Sequence, residues 1–298
     1  MFFQRLFASR KKPYLPGDKQ WEEHQFDLAG NILSFKLPPC TDLGLTGEGF
    51  DRKVDFYRRD LYHEYDEKNP QPEYAKGCSS YTKFFSKGFR LFGKPWEEFD
   101  LATVRVTFNI CRVNQLPESM SCWDPQHFQQ VLKHHRYFSY GPGSSIDANP
   151  YITPINNVVN RVIGNVNWCS FETRKDLSEY DEYNETEKSN YNYELGTPLD
   201  NQYFLLIKFN IFGFLPEESS YHITHKIIDR ILSSIDLDLS NLAREQNNKC
   251  GESIAPHHSS SFDSDTWQYH KWKFGNIHEG EDSIVLTEHG SPPPTFIS

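Results

Sequence analysis

Nowhere does this sequence run to the roughly 20 consecutive apolar residues that a bilayer-spanning helix needs. Its opening segment, MFFQRLFASRKKPYLPGDK, mixes apolar and basic residues, but Arg5 interrupts the apolar run and the basic cluster follows it, the reverse of a secretory signal. Cys40, Cys78, Cys111, Cys122, Cys169 and Cys250 stand far apart with no CxxC pair, which argues against a zinc site or a thiol redox motif. An even number of cysteines permits three disulfides. Without an export signal, however, the expected state is reduced thiols in a cytoplasm. A GxSxG elbow that would raise a serine nucleophile is lacking. The glycine-rich stretches GPGSS (141–145) and GLTGEGF (44–50) carry no phosphate-loop lysine and read as turns. DEYNETEK lacks the central glycine and the correctly offset glutamate of a calcium loop. Bases are also in deficit, 31 against 41 acids for a net charge of -10. Repulsion from phosphate therefore argues against a nucleic-acid partner, and a protein with a basic surface suits the chain better. No cofactor, metal or membrane partner is expected.

What is present is aromatic. Phe and Tyr number 23 and 16 in 298 residues, too many for a disordered chain, while a mean hydropathy of -0.69 is too polar for a membrane protein. The expectation is an α+β fold, a mostly antiparallel sheet flanked by helices, with a polar leader (1–22), one domain (23–244) and a polar C-terminal extension (245–298). Long polar insertions are expected at about 40–100 and 174–200. HQFDLAGNILSFKL (24–37) reads as a hairpin turning at Gly30 and Asn31, which pairs Leu28 with Leu33 and Phe26 with Phe35. RKVDFYRRDLYHEY (52–65) reads as a helix. VRVTFNI (104–110) alternates as a strand, VIGNVNWCSFET (162–173) reads as another, and QYFLLIKFNIFGF (202–214) is apolar on both faces, as a central strand should be. WDPQHFQQVLKHHRYF (123–138) is a helix capped by Asp124 with Pro125 in its first turn. YHITHKIIDRILSSIDLDL (221–239) is an amphipathic helix, and Trp267, Tyr269 and Trp272 are candidate anchors for the tail.

Candidate chemistry is sparse. His134 and His135 stand near His127, but neighbours on a helix point about 100° apart, and His135 falls on the apolar stripe. Asp60, Glu64 and Asp66 suit a solvated face. No catalytic, cofactor-binding or metal-binding set emerges. SEYDEYNETEKSNYNYE (178–194) remains, where tyrosine alternates with acid. Tyrosine offers rigid amphipathic contact area and carboxylates steer a basic partner, so Tyr180, Asp181, Glu182, Tyr183, Glu185, Tyr191 and Tyr193 are the candidate partner-binding residues. The alternative is a solvated acidic loop between two strands.

The hairpin ending in FKLPP, the later strands, and the closing helix with its Ile231–Ser234 "ILSS" signature resemble the PsbP-like and DcrB-like proteins over about two-thirds of the chain. That resemblance implies an α/β/α sandwich and a non-enzymatic binder. Some bacterial proteins of this look are immunity proteins that cap toxins delivered by contact-dependent or type VI secretion systems, so the resemblance implies a toxin or effector domain as partner. It carries over no site residue. Competing readings are an enzyme with Asp124, His134 or Glu64 converging in a cleft, and a secretion-system accessory or chaperone with an apolar groove.

Overall fold

The computed structural model describes residues 2–41, 50–62, 79–97, 100–114, 116–142, 156–174, 190–251, 267–268, 271–278, 281–288 and 290–297. Its centre is a six-stranded antiparallel sheet built from β4 (Ser79–Phe92), β5 (Asp100–Val113), β6 (Asn156–Ile163), β7 (Val166–Arg174), β8 (Tyr191–Pro198) and β9 (Tyr203–Gly213) in the order β4-β5-β9-β8-β7-β6. Strand β9 is interior, as its two apolar faces require: Leu205, Ile207 and Phe209 point to one side and Phe204 and Leu206 to the other, all buried. A smaller sheet joins β1 (Glu22–Leu28), β2 (Asn31–Leu37), β3 (Lys53–Val54) and β10 (Asp236–Asp238) in the order β10-β2-β1-β3. The fold is α+β with antiparallel pairing predominant, as expected, but the hairpin belongs to its own sheet.

Helix α2 (Pro125–Tyr140) covers one face of the large sheet through Phe128, Val131 and Leu132, which pack with Cys169, Phe171, Phe204 and Leu206. The opposite face is shared by the small sheet and α3 (Glu217–Leu232). Phe35 stacks on Phe108 at 4.2 Å between centroids, and Phe26 meets Phe85 edge-on at 5.4 Å. These aromatic pairs fix how the two sheets face each other. Two short helices, α1 (Phe2–Arg5) and α4 (Asn241–Gly251), and a terminal hairpin of β11 (Lys271–His278) and β12 (Glu281–Glu288) complete the described chain. Among the described residues no helix is long and apolar enough to cross a membrane.

Several local expectations are corrected. The hairpin turns at Ala29 and Gly30, which pairs Phe26 with Leu33 and His24 with Phe35. The shift is an even number of residues, so Phe26, Leu28, Leu33 and Phe35 still share the buried face. Ala29 is thereby held at φ 49, a left-handed conformation that disfavours a Cβ. Its compensation lies in the buried Asn31, whose Nδ2 donates to Leu28 O (2.9 Å) and whose Oδ1 accepts the Ser240 amide (2.9 Å). Instead of a helix from 52, Lys53 and Val54 pair parallel with β1, and among the described residues of 52–65 the helical part is a 3-10 turn at Arg59–Leu61. The strand expected at 162–173 is the end of β6, a turn with Gly164 at φ 61, and β7. The helix expected to reach 239 stops at Leu232, because Ile235, Leu237 and Leu239 alternate inward as extended chain. Strands β4 and β8 lie within spans expected as polar insertions.

The chain ends are tied to this frame. Tyr14 exchanges backbone hydrogen bonds with Phe92 (2.7 and 2.9 Å). Residues 290–297 return to α2, where the Phe296 ring stacks on His134 at 3.9 Å, Gln130 bonds the Ile297 backbone twice, and Tyr137 donates to Ser291 O. Trp267, one of the expected anchors, meets Tyr137 edge-on at 5.7 Å.

Candidate interaction site at the base of the β7–β8 connection

Alternation along β7 and β8 directs Glu172, Arg174, Tyr191 and Tyr193 toward α3, which lies over this part of the sheet with Tyr221, Thr224 and His225 facing them. His225 Nε2 is 3.1 Å from Glu172 Oε1, and its Nδ1 is 2.8 Å from the Tyr191 hydroxyl. That hydroxyl is also 2.7 Å from Thr224 Oγ1. Tyr221 donates to Glu172 Oε1 at 2.8 Å while its ring stacks on His225 at 3.9 Å. The Arg174 guanidinium lies 3.7 Å from Glu172 Oε2 and over the Tyr221 ring.

The charge accounting explains why the cluster is tolerated. Glu172 is buried, with a side chain only 4% exposed, and a lone carboxylate there would carry a large desolvation penalty. Arg174, Tyr221 and His225 supply the compensation. The Tyr191 hydroxyl lies between His225 Nδ1 and Thr224 Oγ1, and Thr224 itself donates to the Ser220 carbonyl at 2.7 Å. Burial raises the Tyr191 and Tyr193 hydroxyls, and burial together with the hydrogen bond to Glu172 pushes Tyr221 up to about 12. These phenols hold their protons at neutral pH, and Tyr221 uses its own as a donor to Glu172. Chemically, the set fastens α3 to the sheet and stiffens the ends of β7 and β8.

The connection 175–189 lies outside the described residues, which resume at Asn190. Asn190 Oδ1 accepts the Gly213 amide at 3.1 Å. The neighbours of Gly213, Phe212 and Phe214, help line a cavity of about 330 Å³ together with Arg90, Asp100, Thr103 and Arg105. Arg90 is paired with Asp100 at 3.3 Å, and Arg105 lies over Phe212. Of the described residues that border the connection, Arg174 belongs to the polar network and Asn190 bonds Gly213, next to the cavity lined by Arg90 and Arg105.

Of the sequence-based candidates, Tyr180, Asp181, Glu182, Tyr183 and Glu185 lie outside the described residues. Tyr191 and Tyr193 are corrected: each is 5% exposed, inside β8, and both are framework residues. The signal was present in YNYEL, where Tyr191, Tyr193 and Leu195 alternate. Glu172, Arg174, Tyr221, Thr224 and His225 were missed because they come from two elements about 50 residues apart. The histidine cluster does not assemble. His134 is occupied by Phe296, His135 meets the edge of Phe204, and His127 Nδ1 accepts the Ser121 amide. Asp124 spends its carboxylate on the Gln126 and His127 amides as the α2 cap, so it forms no cleft with His134. Glu64 lies outside the described residues. Among the described residues no group of three or more His, Cys, Asp or Glu converges to hold a cation. Burial pushes the Cys169 thiol up to about 12, which leaves it a poor nucleophile.

No protein-family model matches this chain, and no curated protein matches it.

Proposed function

We propose that this protein is a non-enzymatic binding module, and, following the resemblance of its sequence, an immunity protein that caps a toxin or effector domain bearing a basic surface. The observation that supports the reading is the closed network around Glu172 and His225. Its hydrogen bonds are spent within the framework, and it anchors both ends of the acidic, tyrosine-rich connection. Recognition surfaces work best on rigid supports, where little entropy is lost on binding. The net charge of -10 adds long-range steering of a basic partner.

An acid–base enzyme is the second reading, favoured by the Glu172–His225–Tyr191 order of carboxylate, imidazole and hydroxyl. Against it, the Tyr191 hydroxyl is buried, already engaged by Thr224, and held firmly protonated.

The test is affinity capture from native lysate with the purified protein, beside a variant whose 178–189 segment is a Gly/Ser linker of equal length. Capture of one stoichiometric partner by the native chain alone is the expected result. With that partner in hand, Tyr183→Ala should mainly speed dissociation, and Asp181→Lys should slow association and weaken its salt dependence. A partner retained equally by the linker variant moves the interface elsewhere; turnover that disappears in His225→Ala favours the enzyme.

A further inference from the structure

Residues 3–17 hold Arg5, Arg10, Lys11 and Lys12 and no carboxylate, on a chain whose net charge is -10. The same segment displays the two most exposed large apolar side chains of the described residues, Phe7 at 89% and Phe3 at 79%, with Leu6 also exposed at 38%. Ordinarily such rings would be buried or sit singly; here they cluster.

The cluster is built into the fold. Arg5, midway between Phe3 and Phe7, donates to the carbonyls of Gly93 (3.0 Å), Lys94 (2.8 Å) and Glu97 (3.3 Å), and its guanidinium lies over the Phe92 ring. These bonds clamp α1 onto the turn that follows β4. That turn carries Trp96, 65% exposed, with Lys94 Nζ 5.2 Å from the ring centroid. Glu97 accepts the Lys94 amide at 2.8 Å and lies 3.7 Å from Arg10 Nε, so its charge is offset locally. Phe3 and Phe7, on either side of Arg5, are thereby tethered to the turn that carries Trp96, and Arg10, Lys11 and Lys12 are exposed on the same segment.

From this juxtaposition we propose that the surface formed by Phe3, Phe7, Trp96 and the adjacent Arg10, Lys11 and Lys12 docks peripherally on an anionic membrane. Aromatic rings partition into the headgroup boundary and cations are drawn to acidic lipid, the combination that holds monotopic proteins. An acidic protein surface would match the cations but would not call for three exposed rings on two segments tied together by Arg5. That no helix among the described residues is long and apolar enough to cross a membrane places no bar on this kind of contact. The acidic remainder of the protein is screened beyond about 8 Å at physiological salt, so approach with the basic surface foremost is favoured.

The experiment is flotation of the full chain with vesicles of phosphatidylcholine alone and with added phosphatidylglycerol. Binding is expected with the anionic vesicles only, with loss at about 0.5 M salt. Phe3→Ser/Phe7→Ser and Lys11→Glu/Lys12→Glu should both lower partitioning by more than tenfold, the second by about fivefold per unit of charge. All four side chains are exposed, so the melting temperature should hold and report that each variant is folded. Brominated lipid should quench native fluorescence more than that of Trp96→Phe. The proposal is overturned by absence of flotation with either lipid, by equal flotation of the native chain and both double variants, or by a patch that captures an acidic protein while ignoring vesicles.

Discussion

Three histidines should make this protein acid-labile well before its carboxylates titrate. His24, His134 and His135 are each less than 9% exposed, and burial, the leading cause, lowers all three from 6.5 to about 4. His24 also faces the buried ammonium of Lys87, and His134 neighbours Lys133. In the unfolded chain these rings titrate near 6.5. Between about pH 6.5 and pH 4 the unfolded state therefore binds more protons, so stability is fully present above 6.5 and is lost as pH falls toward 4. A displacement of about 2.5 pH units corresponds to roughly 3 kcal/mol per histidine as a ceiling. For three, that approaches the whole stability of a typical domain, about 5–15 kcal/mol. Urea denaturation at steps from about pH 7.5 to pH 5 measures it. Near pH 5.2 the slope should correspond to uptake of two to three protons, about 3–4 kcal/mol per pH unit. His135→Leu should reduce that slope by about one proton. Stability that is flat over this range, or a His135→Leu slope equal to the native one, refutes the reasoning.

Two further sites, the Arg136–Glu194 pair and Gly196, probe the face under α2. Arg136 and Glu194 form an ion pair at 3.0 Å with side chains 0% and 1% exposed, and Arg136 also donates to the Thr173 hydroxyl. Glu194→Leu should cost about 3–5 kcal/mol in chemical denaturation, because a guanidinium stays buried without its carboxylate. Arg136→Met/Glu194→Leu should recover most of that loss, and a double variant no better than the single one would sink the argument. Gly196→Ala should lower stability by about 1–2 kcal/mol. The new Cβ would lie 3.2 Å from both Leu132 and Phe128, packed side chains with little room to retreat; an unchanged melting temperature would show that α2 can shift.

Local physics is enough to specify α2, where Asp124, Pro125 and a helical apolar stripe agree, and to specify β5 and β9, whose alternation or double-faced hydrophobicity has a single use. The α+β class and antiparallel pairing follow from those elements. Other features have no local cause. In β4, YTKFFSKGFRLF is interrupted by Lys87, which is tolerated in the interior because Glu22, 65 residues away, supplies its counter-charge. The hairpin register goes against the left-handed preference of Asn over Ala, since Asn31 gains more by tying Leu28 to Ser240. Helix α3 ends where β2 accepts Asp236–Asp238 as an edge partner. The candidate site divides the same way. Its acidic and tyrosine-rich composition is written in residues 178–194, because composition is a property of the chain alone. That Tyr191 and Tyr193 turn inward to meet His225 was settled by tertiary packing, since a buried carboxylate and its donors must be gathered from distant segments before any of them is worth burying.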